Sequence, residues 1–190
     1  LTGIISSEGL IQEQKERSTD VIFKDGRTFS YLLFDGKQKI IITQNDIRAI
    51  QLAKAALYAG AKLLMDKIGI SAVDKIRFAG AFGSHIDVKY AMVLGLIPNC
   101  KISEVTSAGN AASTGARIAL LDSESRQEIE TAVKQIEKIE TATEPLFQDY
   151  FVKAMSIPHE SDDFSELKKI FKFPEKNNVE IRSKRKRRRT

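Results

Sequence analysis

Apolar positions along this chain change their period from segment to segment, and each change predicts a different element. Val21-Ile-Phe-Lys24, Thr28-Phe-Ser-Tyr-Leu-Leu-Phe34 and Lys39-Ile-Ile-Ile42 are short runs rich in β-branched and aromatic residues. Asp25-Gly26 and Asp35-Gly36 stand between them, and Asp-Gly supplies the left-handed turn that a hairpin needs. A small antiparallel patch is expected, and nothing in it requires chemistry. From Thr43 the period becomes helical. Ile47, Ile50, Ala53, Leu57, Ala61, Leu64 and Ile68 recur at helical intervals and predict one buried stripe on a helix running to about Ile68. Thr43 and Asp46 have capping-box spacing at its start, and Gly69 stops it. Ala49, Ala53, Ala55, Ala56, Ala59, Gly60 and Ala61 make it slim, so a backbone or a flat ligand can come close. Gln51, Lys54 and Tyr58 lie on a flank of the stripe.

The next stretch, Asp74 to Ile86, reads Asp-Lys-Ile-Arg-Phe-Ala-Gly-Ala-Phe-Gly-Ser-His-Ile. Ile76 and Phe78 share one face of a short strand that turns at Gly80, and Gly83 is expected to free the backbone just before a further helix. A strand, a small-residue turn and a helix N-terminus place unpaired N–H groups around a concavity that can accept an anion. The same residues also suit an ordinary tight strand-to-helix connection. His85 is read as a loop histidine with no neighbouring nucleophile. Asp87 falls in the first turn of the following helix, Tyr90, Ala91 and Leu94 continue its packed face, and Gly95 and Pro98 end it.

Lys101 to Thr106 is expected to be a strand. It enters a helix through Ser107-Ala-Gly109-Asn110, with Asn110 as N-cap and Gly115 marking close packing. Two strands that each enter a helix through glycine and alanine make an α/β layer whose loops meet at one sheet edge. Ser123 or Ser125 is expected to cap the next helix, Ser125 with Glu128 as a second capping box, and Ile129, Val133, Ile136 and Ile139 form its stripe. Pro145 suits the first position of a helix to about Met155, with Leu146, Phe147, Tyr150, Phe151 and Met155 toward the core. A short helix is expected over Asp163 to Phe171, and fraying beyond Phe173-Pro174. The resulting division is a lead-in and hairpin region over 1–42, an α/β lobe over 43–160 and an extension over 161–190.

Composition narrows the chemistry. At 190 residues the chain holds one full core. No apolar run approaches the roughly 20 residues needed to span a bilayer, and the first residues lack the features of a signal peptide. The absence of an initiator Met suggests a piece of something longer. The net charge of +5 is a property of one end: 180–190 carries seven basic residues and one acidic, leaving −1 for the rest. That tail is read as solvated rather than as a nucleic-acid site, because no aromatic residue is interleaved with it. Cys100 is the only cysteine, consistent with a cytoplasmic setting, and with His85 and His159 it cannot build an iron–sulfur or closed zinc site. There is no Walker A run, no Ser–His–Asp spacing and no paired-carboxylate constellation. The chain offers one ligand wall and no catalytic set.

Several motifs carry a family resemblance. Gln44-Asn-Asp-Ile-Arg-Ala-Ile-Gln-Leu-Ala-Lys-Ala-Ala, Phe78-Ala-Gly-Ala-Phe-Gly-Ser-His-Ile-Asp87, Met92-Val-Leu-Gly-Leu-Ile-Pro98 and Gly109-Asn-Ala-Ala-Ser-Thr-Gly-Ala-Arg-Ile-Ala-Leu-Leu121 resemble the C-terminal ATPase domain of the reductive activators of corrinoid proteins. Glu137-Lys-Ile-Glu-Thr-Ala-Thr-Glu-Pro-Leu-Phe-Gln and Phe151-Val-Lys-Ala-Met-Ser-Ile-Pro-His159 continue the match over roughly residues 1 to 160, without the basic tail. The resemblance implies the second lobe of an actin-like, sugar kinase-like α/β fold, a mixed sheet with flanking helices. It implies ATP with Mg²⁺ as cofactor, an iron–sulfur domain upstream and a corrinoid protein as partner, with room for a homodimer. ATP would drive one-electron reduction of cob(II)alamin to cob(I)alamin. Gly80, Ala81, Phe82 and Gly83 match the adenosine turn, Gln51 and Lys54 fall on the helix that flanks adenine, and Gly109 and Asn110 open the helix near the same cleft. The phosphate-binding hairpins and the Mg²⁺ carboxylates would precede Leu1, so this piece should bind nucleotide feebly and hydrolyse little. The competing expectation is a docking domain that contacts the corrinoid protein and uses its glycine turns only for packing.

Overall fold

The computed structural model describes residues 2–13 and 21–172. Strands β1 (Ile22–Asp25), β2 (Thr28–Asp35) and β3 (Lys39–Ile42) form an antiparallel sheet in that order. Gly26 takes φ +59 in the first turn, as the Asp-Gly pair demands. The buried Ser30 hydroxyl donates to Asp25 at 2.9 Å and ties the hairpin to its own turn.

Helix α1 (Gln44–Lys67) carries the expected capping box. The Thr43 hydroxyl accepts from the Asp46 N–H, and the Asp46 carboxylate accepts from the Thr43 N–H at 2.8 Å, which holds the Asp46 carboxyl below its ordinary range. The face it buries is not the predicted one. Ile50, Leu57, Leu64 and Ile68 are exposed, Ile68 by 70%, whereas Ile47, Gln51, Lys54, Ala55, Tyr58 and Ala59 are buried. Hydrophobic periodicity alone misplaces the stripe because polar side chains on the true inner face find enough backbone partners to be buried without penalty.

Strand β4 (Ile76–Ala79) pairs in parallel with β5 (Val105–Gly109), Ile76 opposite Val105 and Phe78 opposite Ser107. After β4 come α2 (Ala81–His85) and α3 (Val88–Leu94), and after β5 come α4 (Ala111–Leu121) and α5 (Ser123–Lys134). Helices α6 (Phe147–Lys153) and α7 (Ser165–Lys168) complete the described chain, with 3₁₀ turns at Ile102–Glu104 and Thr141–Thr143. The class is mixed α/β, small sheets flanked by helices. The core joins Ala55 and Tyr58 of α1, Ala91 to Val93 of α3, Ile97, Cys100, Val105 and the C-terminal Ala154, Phe164 and Leu167.

Several local expectations shift. Gly83 lies inside α2, where a Cβ would collide with Phe78, so its role is close helix–strand packing. Asp87 is the N-cap of α3, accepting from the N–H groups of Lys89 and Tyr90, and Tyr90 is exposed. Lys101 caps the 3₁₀ turn at Ile102–Glu104, so the strand starts at Val105. Asp122 caps α5 instead of Ser123 or Ser125; its carboxylate accepts from both the Glu124 and Ser125 N–H groups and so outcompetes a hydroxyl. Ile129, Val133 and Ile136 are exposed, and nothing lies within 4 Å of a Cβ built on Gly115, so neither feature reports packing here. Pro145 precedes α6 rather than opening it, and Leu146 is exposed. The expected fraying and the basic tail lie outside the described residues, as do 14–20 of the lead-in. In the described part of that lead-in Ile5 bridges Ile11, and Ile11 is buried.

Gly95 and Gly115 make a paired test. Gly95 ends α3 at φ +76, and a Cβ there would overlap the Pro158 carbonyl. Gly95→Ala should cost at least about 2 kcal/mol in urea unfolding, combining left-handed strain with the clash. Gly115→Ala should be neutral or stabilise by up to about 1 kcal/mol.

Candidate functional site

The C-terminal ends of β4 and β5 are joined directly. The Gly80 N–H donates to the Gly109 carbonyl at 2.7 Å, so the two strand-to-helix connections form one edge. Gly80 takes φ +92 and Gly109 φ +60, conformations that suit glycine. No atom lies within 4 Å of a Cβ built on either, so the main chain is open on that side. Ser84 Oγ donates to the Gly80 carbonyl at 3.2 Å and lies 3.4 Å from Ser107 Oγ, which accepts from the Gly109 N–H at 3.2 Å. Asn110 caps α4 by accepting from the Ser113 N–H at 3.0 Å. The edge therefore gathers Gly80, Ala81, Phe82, Gly83, Gly109 and Asn110. Ser84 and Ser107 stitch it together; the sequence reading passed over both, although serine four residues after Gly80 on a helix was a usable signal. His85 closes α2 and is exposed.

Gln51 and Lys54 belong to a different assembly. Gln51, 2% exposed, donates to the carbonyls of Glu8 at 3.0 Å and Met155 at 2.8 Å. Lys54, 1% exposed, donates to the carbonyls of Ser156 and Pro158, the second at 2.8 Å. Gly9 and Gly95 lie directly against the ends of these two side chains. Both polar groups are spent on main chain, so neither is open to a ligand in this arrangement. Burial lowers Lys54 from 10.5 to about 8, which leaves it an ammonium at neutral pH, the form that two carbonyls solvate. One helical turn on, the Tyr58 hydroxyl donates to Asp162 at 2.8 Å, and burial and then that bond push the phenol far above its ordinary range. His159 stacks 4.8 Å from the Tyr58 ring and accepts at Nδ1 from the Ser161 and Asp162 N–H groups. Burial lowers its pKa, and its acceptor role fits a neutral ring with the proton on Nε2.

A cleft of about 350 Å³ opens elsewhere, walled by Ile4, Ile11, Leu33, Ile42, Ile47 and Ile157 among others. Its lining is almost wholly apolar and holds no acid–base pair. Among the described residues no group of three potential metal ligands occurs, and Cys100 is buried with its thiol pushed up by burial. No described helix is long and apolar enough to cross a membrane.

The family model described as "C-terminal domain of RACo the ASKHA domain" matches residues 1–168. The chain belongs to this family of corrinoid-activator C-terminal domains. It is 44% identical over 120 residues to the corrinoid activation enzyme RamQ of Eubacterium limosum, covering 62% of this chain and 20% of that protein. It superposes with a TM-score of 0.69 and 30% identity on a solved reductive activator for corrinoid, iron-sulfur protein, covering 83% of this chain and 26% of that one. The chain thus spans about a fifth of the curated relative and about a quarter of the solved one. As an activator C-terminal domain it presents one edge of small residues and a separate polar clamp.

The clamp has a pH signature. Lys54 loses its proton more easily folded (about 8) than unfolded (10.5), so between those values the unfolded chain binds more protons and stability rises with pH. Tyr58, raised on folding, acts in the opposite sense above pH 10. Between pH 8 and 9.5 Lys54 should therefore add roughly 1–2 kcal/mol to the unfolding free energy, offset in part by the raised Cys100 thiol, which acts in the opposite sense there. Lys54→Met should remove the rise in a urea series across that window.

Proposed function

We propose that this chain is the ATP-binding C-terminal part of an ATP-dependent reductive activator that restores cob(II)alamin to cob(I)alamin in a corrinoid protein of methyl transfer. The observation that carries this reading is the edge built from Gly80 and Gly109, two open glycines held together by one main-chain hydrogen bond in a domain of this family. The adenosine end of ATP fits there: a flat ring can lie against the open main chain at Gly80, where Ala81, Phe82 and Gly83 follow, with Gly109 and Asn110 alongside. Gln51 and Lys54 serve by fixing the Met155–Pro158 segment against which Gly95 ends α3, instead of touching the nucleotide.

The donor set limits what this chain does alone. No carboxylate stands among Gly80–Ser84 or Ser107–Ser113 to position Mg²⁺ and water, so phosphate chemistry falls to the rest of the polypeptide. One buried thiol does not fit an iron–sulfur cluster, and no electron-transfer step is assigned to these residues. A corrinoid protein as client, a cytoplasmic setting and self-association as a homodimer belong to the same reading.

Calorimetric titration with ATP tests it. The 190-residue chain should bind weakly, with heat competed by ADP, and Gly80→Val should abolish that heat by filling the open edge. Mg²⁺-dependent hydrolysis by the isolated chain should be marginal. Capture of a corrinoid protein without any nucleotide heat would instead favour a pure docking domain, and vigorous hydrolysis by the isolated chain would show that the division of labour is misjudged.

A further inference from the structure

His159 is buried and titratable, and neither the glycine edge nor the lysine clamp uses its ring. It lies in the turn between α6 and α7, 8% exposed, with that ring 4.8 Å from Tyr58. Its Nδ1 accepts from two main-chain donors, the Ser161 N–H at 3.2 Å and the Asp162 N–H at 2.9 Å. An imidazole does this only when Nδ1 is unprotonated, because a proton there turns the acceptor into a third donor facing the other two. The Asp162 carboxylate stands beside the same atom. One of its oxygens is 3.9 Å from Nδ1, and the other accepts from the Tyr58 hydroxyl at 2.8 Å. Acid therefore has a competing arrangement within reach, in which Nδ1–H donates to Asp162 and both N–H groups lose their acceptor. From α1, the ammonium groups of Lys54 and Lys62 oppose a charge on the ring; from its own turn, Asp162 and Glu160 favour one. Burial is the largest influence, and the net effect lowers the ring below its usual 6.5.

We propose that His159 is an acid-sensitive latch: protonation at Nδ1 unfastens the turn that holds the α7 segment against α1. The turn lies between two parts of the interior. Before it, the Pro158 carbonyl solvates the Lys54 ammonium. After it, Phe164 and Leu167 are buried in the cluster that holds Ala55 and Tyr58, with the Phe164 ring 6.3 Å from Tyr58. Opening the turn therefore loosens the docking of α7 first. In the unfolded chain the imidazole takes up its proton near 6.5, and in the folded chain only below that. The latch is thus whole above pH 6.5 and is lost progressively as pH falls beneath it. This device is independent of whether the glycine edge binds nucleotide.

The test is a pH series from about 7.5 to about 4.5 on the isotope-labelled chain, read by NMR of the His159 ring and by amide hydrogen exchange. As the ring takes up its proton, protection of the Ser161 and Asp162 amides, corrected for intrinsic exchange, should fall about tenfold or more with the same midpoint. His159→Asn puts an acceptor that acid does not remove where Nδ1 stood, in the manner of an Asx-turn, so both amides should keep their protection across the series. Each protein is compared with itself at different pH, so a lower overall stability of the variant leaves the reading intact. Ring protonation with both amides unmoved overturns the proposal, as does a ring that stays neutral through the whole series. Equal loss of protection in the chain and in His159→Asn, or global unfolding of both at the same pH, also overturns it, because other groups then drive the acid response. If His159→Asn does not fold, the unaltered chain decides alone: a midpoint for the amides apart from that of the ring sinks the latch.

Discussion

A buried ammonium organises this domain. Lys54 sits at 1% exposure in the middle of a 24-residue helix, a position that costs several kcal/mol unless the charge is solvated internally. The solvation comes from the carbonyls of Ser156 and Pro158, about a hundred residues away in sequence. Gln51, one turn earlier, does the same for Glu8 and Met155, and Tyr58, one turn later, holds Asp162. One face of α1 thereby gathers the lead-in, the loop after α6 and the turn before α7. Gly95 has to lack a side chain because the Pro158 carbonyl, held by Lys54, occupies that space. That contact lies where α3 ends, and α3 begins at Val88, just after α2, which opens at Ala81.

The glycine edge and the clamp are separate parts of one structure with different tasks. At the edge, Gly80 and Gly109 keep the main chain bare. In the clamp, polar side chains are consumed in bonds to backbone, which gives direction to a core that apolar contacts alone would leave free to slide. A functional part in the clamp does not require contact with a ligand.

The local elements were legible because their signals are local. Thr43 and Asp46 sit three residues apart and close a capping box whatever surrounds them; Asp25-Gly26 makes its turn for the same reason. The Asn110 cap and the strand–glycine–helix order at Gly80 and Gly109 followed similarly, and with them most of the candidate edge. The burial of α1 was not legible. Its apolar residues pointed to Ile50, Leu57 and Leu64, yet the structure buries Gln51, Lys54 and Tyr58. Polar side chains can form an inner face only when distant carbonyls and a carboxylate arrive to meet them, and periodicity along one helix carries no information about such partners.

The sequence by itself determined the start of α1, the first hairpin turn and the Asn110 cap of α4, because those caps and turns are satisfied within a few residues. It also determined that Gly80 and Gly109 would be free of side chains. Only the tertiary structure decided that these two connections lie side by side, joined by the bond from the Gly80 N–H to the Gly109 carbonyl. Only it could take Lys54 from a candidate ligand contact to a buried clamp. The free energy of a charged side chain depends on what surrounds it, and its surroundings come from residues that the chain reaches only by folding.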